Sequence, residues 1–137
     1  MNKSTVSTQN HCAFSVFYHL VIVTKYRRKA LNNDMLEMLE ALCRERAAEW
    51  QGALLGFNGE ADHIHLLLTI PPKFAVADFV NALKTGTSRR LRNAFPEQVA
   101  KLYRKPVLWS RSYFVATCGG APLEVIKQYI EQQARPD

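Results

Sequence analysis

The chain has 137 residues, 47% of them hydrophobic and 22% charged, with a net charge of +6, which suits one core of ordinary size and excludes two. Residues 1–10 lack the apolar run of a secretion signal, and no stretch approaches the ~20 apolar residues of a membrane span. Cys12, Cys43 and Cys118 are odd in number and form no C-x-x-C pair, which argues against a disulfide framework and a structural zinc site. A soluble cytoplasmic protein with a polyanionic partner is the expectation from these quantities.

Residues 1–12 read as a flexible tail, and residues 13–137 as a single domain. The segment 13–24 is dense in β-branched and aromatic residues, from Phe14 to Val23, and predicts a central strand buried on both faces. It runs into the basic cluster Lys25, Tyr26, Arg27, Arg28 and Lys29. Asp34 and Glu37 have capping-box spacing, and Met35, Leu39, Leu42, Arg46 and Trp50 follow at helical intervals, so a first helix is expected up to Gly52. Residues 53–57 and 63–70 predict two strands joined by the short connection 58–62 as an antiparallel hairpin, stopped by Pro71 and Pro72.

Residues 75–93 place Val76, Phe79, Val80, Leu83, Thr87 and Leu91 on one helical face, with Lys84, Arg89, Arg90 and Arg92 off that stripe. Pro96 and Pro106 bracket a mixed connector, 107–117 predicts a fourth strand, and Cys118-Gly119-Gly120 breaks it. Pro122 and Glu124 open a last helix to about residue 134. The order β-α-β-β-α-β is the split βαβ plan of a ferredoxin-like α+β sandwich with an antiparallel sheet, followed by a C-terminal helix.

Within this plan the segment Asp62-His63-Ile64-His65-Leu66-Leu67-Leu68 places two imidazoles on one strand face, because strand side chains alternate. Two neutral imidazole nitrogens can grip a divalent metal if a third ligand arrives from elsewhere. Two polar residues on a solvated sheet face is the plainer interpretation of that pair alone. On the last helix Tyr129 and Gln133 are four residues apart and share a face. Cys118 and Tyr113 are weaker nucleophile candidates, since each lies in or beside an apolar strand.

Four ordered motifs carry a resemblance: Tyr18-His19-Leu20-Val21 followed by Lys25-Tyr26-Arg27-Arg28; Asp62-His63-Ile64-His65-Leu66-Leu67; Trp109-Ser110 with Tyr113-Phe114-Val115; and Tyr129-Ile130-Glu131-Gln132-Gln133. From about Tyr18 to Gln133 the chain resembles the single-tyrosine HUH transposases of small insertion sequences and their REP-associated relatives. The resemblance implies a nucleophile at Tyr129 and metal ligands at His63, His65 and Gln133, with Mg²⁺ or Mn²⁺ bound; the histidines alone leave zinc open. It further implies cleavage and rejoining of single-stranded DNA at hairpin-bearing element ends through a 5′-phosphotyrosine link, and a homodimer in which the tyrosine helix can serve the partner's histidines.

For DNA contact the expected residues are Lys25, Arg27, Arg28 and Lys29 after the first strand and Lys84, Arg89, Arg90 and Arg92 on the second helix. Tyr26, Phe74 and Tyr103 are candidates for stacking on unpaired bases. Two rival functions are a non-catalytic nucleic-acid-binding module of the same fold and a domesticated HUH nuclease acting on cellular repeats.

Overall fold

The computed structural model describes residues 7–9, 12–14 and 16–117. The expected last helix, with Tyr129 and Gln133, and the Cys118-Gly119-Gly120 break lie outside the described residues. Two short strands, β1 (Ser7–Gln9) and β2 (Cys12–Phe14), pair antiparallel with each other. Ser7–Gln9 falls within the segment read as a tail, and the run read as one strand from 13 to 24 is divided between β2 and β3 (Tyr18–Thr24).

The main sheet holds β3, β4 (Ala53–Glu60), β5 (His63–Thr69) and β6 (Trp109–Thr117) in the order β4-β5-β3-β6, every neighbouring pair antiparallel. Two long helices, α1 (Asn33–Glu49) and α2 (Val76–Ala94), pack with one face of this sheet. The chain thus passes from β3 through α1 to the parallel strand β4, and β5 returns between them, which is the ferredoxin-like α+β plan expected above. A short α3 (Pro96–Ala100) occupies the segment read as a connector, with Pro96 in its first turn.

The strand alternation decides which side chains enter the core. Leu20 and Ile22 on β3 and Ile64, Leu66 and Leu68 on β5 are buried with Met35 and Leu39 of α1 and Phe79, Leu83 and Leu91 of α2. Each such side chain contributes roughly 1.5–3 kcal/mol by leaving water. The buried stripe of α2 is Phe79, Val80, Leu83, Thr87, Ser88 and Leu91, close to the expected face. Thr87 caps this packing: its hydroxyl donates to the Leu83 carbonyl at 2.7 Å and accepts from Trp109 Nε1 at 2.9 Å, fastening β6 to α2.

Two boundaries differ from expectation. The N-cap of α1 is Asn32, whose side-chain oxygen accepts from the Met35 N–H at 2.9 Å, so the cap precedes the Asp34 and Glu37 pair. Pairing of β4 with β5 also continues through Asn58, Gly59 and Glu60 to the Glu60–His63 pair, leaving only Ala61 and Asp62 to turn. Gly59 in this stretch packs close beneath α1: a Cβ there would lie 2.7 Å from Leu36 Cδ2, the end of a side chain that can shift.

Gly52 ends the crossover from α1 to β4, and a Cβ on it would sit 2.0 Å from the Thr69 carbonyl oxygen. That oxygen belongs to the backbone and cannot rotate away. Urea denaturation should therefore show a larger loss for Gly52→Ala than for Asn32→Ala, whose missing cap costs about 1 kcal/mol.

Candidate functional site

The face of the sheet turned away from α1 and α2 is set by the same alternation. Val23, Val21 and His19 of β3 pair with His63, His65 and Leu67 of β5, and Phe114 and Ala116 of β6 pair with Val21 and His19. Register partners share a face, so three imidazoles converge there: His63, His65 and His19. Their ring centroids lie 5.1 Å apart for His63 and His65 and 5.2 Å for His19 and His65. Phe114 meets His19 edge to face at 6.0 Å and is itself largely exposed.

Each imidazole of the pair is held through its Nδ1. His63 Nδ1–H donates to Asp62 Oδ1 at 2.7 Å, and Asp62 also accepts from Arg27 at 3.3 Å. Burial pushes the Asp62 carboxyl up, but the hydrogen bond from His63 and the Arg27 charge more than offset this, and the group lies below its ordinary value. It is therefore a carboxylate at neutral pH, and a His63 ring that donates to it from Nδ1 has its other nitrogen, Nε2, turned away from Asp62.

His65 Nδ1 lies 3.0 Å from His19 Nε2, a buried contact. Two tautomer pairs satisfy it: His65 donates to His19, or the reverse. Only the first leaves a lone pair on His65 Nε2. Burial, followed by the nearby His19 and His63, pushes the His65 pKa down to about 4, and burial also lowers that of His19. Both rings are consequently neutral at pH 7, as ligation of a cation requires.

His63 and His65 thus satisfy the expectation of a shared face. Among the described residues, no group of three or more His, Cys, Asp and Glu side chains forms a metal site by itself. The donor set still suits a divalent cation, since each of the two rings is oriented by a second group, a common arrangement around protein-bound metals. His19 was not singled out from sequence; its position two residues before Val21, the register partner of His65, needs the β3–β5 pairing to be seen.

The basic residues expected to meet DNA fall in two places. Lys25 to Arg27 form a 3-10 turn directly after β3, and Arg27, Arg28 and Lys29 are exposed beside it. The Thr24 hydroxyl donates to the Arg28 and Asp62 carbonyls at 2.6 and 3.2 Å, joining that turn to the one before His63. On α2, Arg89 and Arg90 are exposed, whereas Arg92 donates to Ser88 Oγ at 3.1 Å. Lys84 donates to the Arg111 carbonyl at 3.1 Å and lies over the Tyr113 ring, so its ammonium already has local partners. Tyr26 is exposed, while Tyr103 is buried and Phe74 packs edge to face on Trp50.

The family model for IS200-like transposases matches residues 12–133. The chain belongs to the IS200-like transposase family. Among curated relatives of this transposase, the ISDra2 transposase TnpA of Deinococcus radiodurans is 34% identical over 120 residues, covering 88% of the chain and 85% of the relative. The IS200 transposase of Salmonella typhimurium is 35% identical over 136 residues, covering 98% and 85%. A crystal structure assigned as a transposase, also from Deinococcus radiodurans, superposes with a TM-score of 0.74 at 32% identity, covering 95% of this chain and 99% of its own. A REP-associated tyrosine transposase bound to a REP hairpin superposes at 0.57 with 10% identity, covering 84% and 62%, a likeness of fold alone. No helix among the transposase's described residues is long and apolar enough to cross a membrane.

The depressed pKa of His65 has a measurable consequence. Between its ordinary value of 6.5 and about 4, the unfolded chain binds a proton at this residue that the native chain does not. Stability therefore falls as pH drops through that window, by up to about 3 kcal/mol from His65, and His19 adds in the same sense. Urea midpoints measured from pH 7 to pH 4.5 should decline for the wild type and decline less steeply for His65→Gln.

Proposed function

We propose that this transposase cleaves and rejoins single-stranded DNA at insertion-sequence ends, using Tyr129 as nucleophile beside the His63 and His65 pair in one domain spanning residues 13–137. The observation that carries this reading is the imidazole pair on one strand face in a member of the family, with both Nδ1 atoms engaged, His63 by Asp62 and His65 by His19; the tautomer in which His65 donates to His19 frees its Nε2 for a ligand. The third ligand is Gln133, four residues beyond Tyr129 in the sequence. His63, His65 and Gln133 would hold a Mg²⁺ or Mn²⁺ ion, which when bound would supply Lewis acidity at the scissile phosphate.

The chain's own groups account for the rest of the reaction. Tyr129, after losing its phenolic proton, forms a bond from Oη to phosphorus, and the bond from phosphorus to the 3′-oxygen breaks; the released oxygen takes up a proton as a 3′-hydroxyl. The 5′-phosphotyrosine link retains the energy of the phosphodiester, so attack by a second 3′-hydroxyl regenerates Tyr129 and rejoins DNA without ATP. Asp62 and His19 keep the imidazoles aimed while this occurs. Lys25, Arg27, Arg28, Lys29, Arg89 and Arg90 position the phosphate backbone, with Lys84 and Arg92 in supporting places on α2. Two element ends require two nucleophiles, so the working unit is a homodimer, with the segment that carries Tyr129 serving either its own or the partner's histidines.

The test is incubation with labelled single-stranded hairpin DNA from the ends of the flanking element, in Mg²⁺ or Mn²⁺, followed by denaturing electrophoresis. Wild type should give a covalent adduct, and Tyr129→Phe and His63→Ala should give none. An adduct retained by Tyr129→Phe, or equal cutting of duplex DNA, overturns the reading; binding without any adduct makes the chain a nucleic-acid-binding module. In a separate measurement, Mn²⁺ titration followed by electron paramagnetic resonance should show His19→Ala weakening metal affinity by about 10-fold to 100-fold.

A further inference from the structure

The turn after β3 holds an arrangement that folding alone does not account for. Tyr26 and Arg27 have φ of 60° and 54°, the left-handed region that Gly or Asn fills with least strain and bulky residues avoid. The Tyr26 ring gains little burial in return, being 71% exposed. A strained backbone that presents an aromatic ring to solvent is a mark of a binding surface.

Beside the ring lies a cavity of about 490 Å³ lined by Lys25, Tyr26, Arg28, Lys101, Arg104 and Lys105, among others, with five cationic side chains and no acidic one in its wall. The Arg28 guanidinium lies 5.0 Å from the Tyr26 centroid and 5.4 Å from that of Tyr103, and it donates to the Leu102 carbonyl. The Tyr103 hydroxyl in turn donates to the Lys25 carbonyl at 2.7 Å. These contacts tie the turn to the segment after α3, so both walls are pre-formed. An aromatic face next to cations, in a recess with room for one nucleotide, suits an unpaired base joined to its phosphate.

We propose that this cavity holds one unpaired nucleotide of a DNA single strand, its base stacked on Tyr26 and its phosphate among Lys101, Arg104 and Lys105. The proposal rests on the reading that the chain acts on single-stranded DNA, and it adds a site separate from the imidazole pair.

Fluorescence anisotropy in EDTA, where no cleavage occurs, tests it with two 20-mer probes: oligothymidylate, and an abasic strand carrying the same phosphates. Tyr26→Asn should weaken oligothymidylate binding about fivefold or more while changing abasic binding less than about twofold. Tyr26→Phe should bind as wild type does. Lys105→Ala should weaken both probes alike and flatten the salt dependence. Tyr26→Asn should also raise the thermal midpoint, because it relieves the left-handed backbone, which separates loss of the ring from loss of fold. If Tyr26→Asn binds oligothymidylate as wild type does, or weakens both probes equally, the nucleotide site is overturned while the strand-transfer reading stands. If wild type binds neither probe and forms no adduct with element-end DNA, both fall.

Discussion

The pairing of β3 with β5 is the constraint from which the rest of the molecule follows. Val21 stands opposite His65 and Ile22 opposite Ile64, so one register sends the isoleucines into the helix-covered core and the imidazoles to the other face. A slip of one residue would bury the histidines beneath α1 and α2 and expose Leu66 and Leu68. The large apolar burial on the helix side therefore enforces the geometry of the polar side. Stability and site geometry are one property of this strand pair.

That coupling explains how buried imidazoles are tolerated. A protonated ring among Leu67, His19 and the strand backbone would be costly, and the protein avoids it by keeping His65 neutral and giving its Nδ1 a partner. The carboxylate of Asp62 serves His63 in the same way from the adjoining turn. Each ring is restrained by a neighbour, one in the sheet and one in the turn before β5, so a ligand need not order a loose side chain when it binds. Thr87 solves a related problem on the opposite face, accepting the Trp109 indole proton inside the core.

Much of this was legible in the residues. The alternation of imidazole and apolar residues over 63–66, the apolar run that follows it, and the helical stripe from Phe79 to Leu91 are strong signals because burial selects for them, and both elements lie where they were expected. Boundaries were less legible where contact decides them. Nothing local says that Asn58 and Gly59 continue β4, since what extends the strand is its pairing with His65 and Ile64 of β5. The cap at Asn32 competes with an equally plausible acidic pair a few residues on. His19 could be read as a strand residue but not as a partner of His65, because that contact spans 46 residues and exists only once the register is set. The left-handed Tyr26 likewise carries no sequence signal, lacking the Gly or Asn that usually marks such a turn.

The Thr24 hydroxyl has a consequence larger than its size. It clasps the carbonyls of Arg28 and Asp62, while the Thr24 N–H donates to the Asp62 carbonyl at 2.9 Å and the Leu31 N–H to that of Ala61 at 2.9 Å. The turn that displays the basic residues and the turn that begins the imidazole strand are therefore one rigid body. The interval between them is the spacing of adjacent strands, about 4.8 Å, rather than the reach of a flexible loop. Anything that grips both turns at once meets them at a fixed separation, and neither turn can shift without disturbing the pairing of β3 with β5.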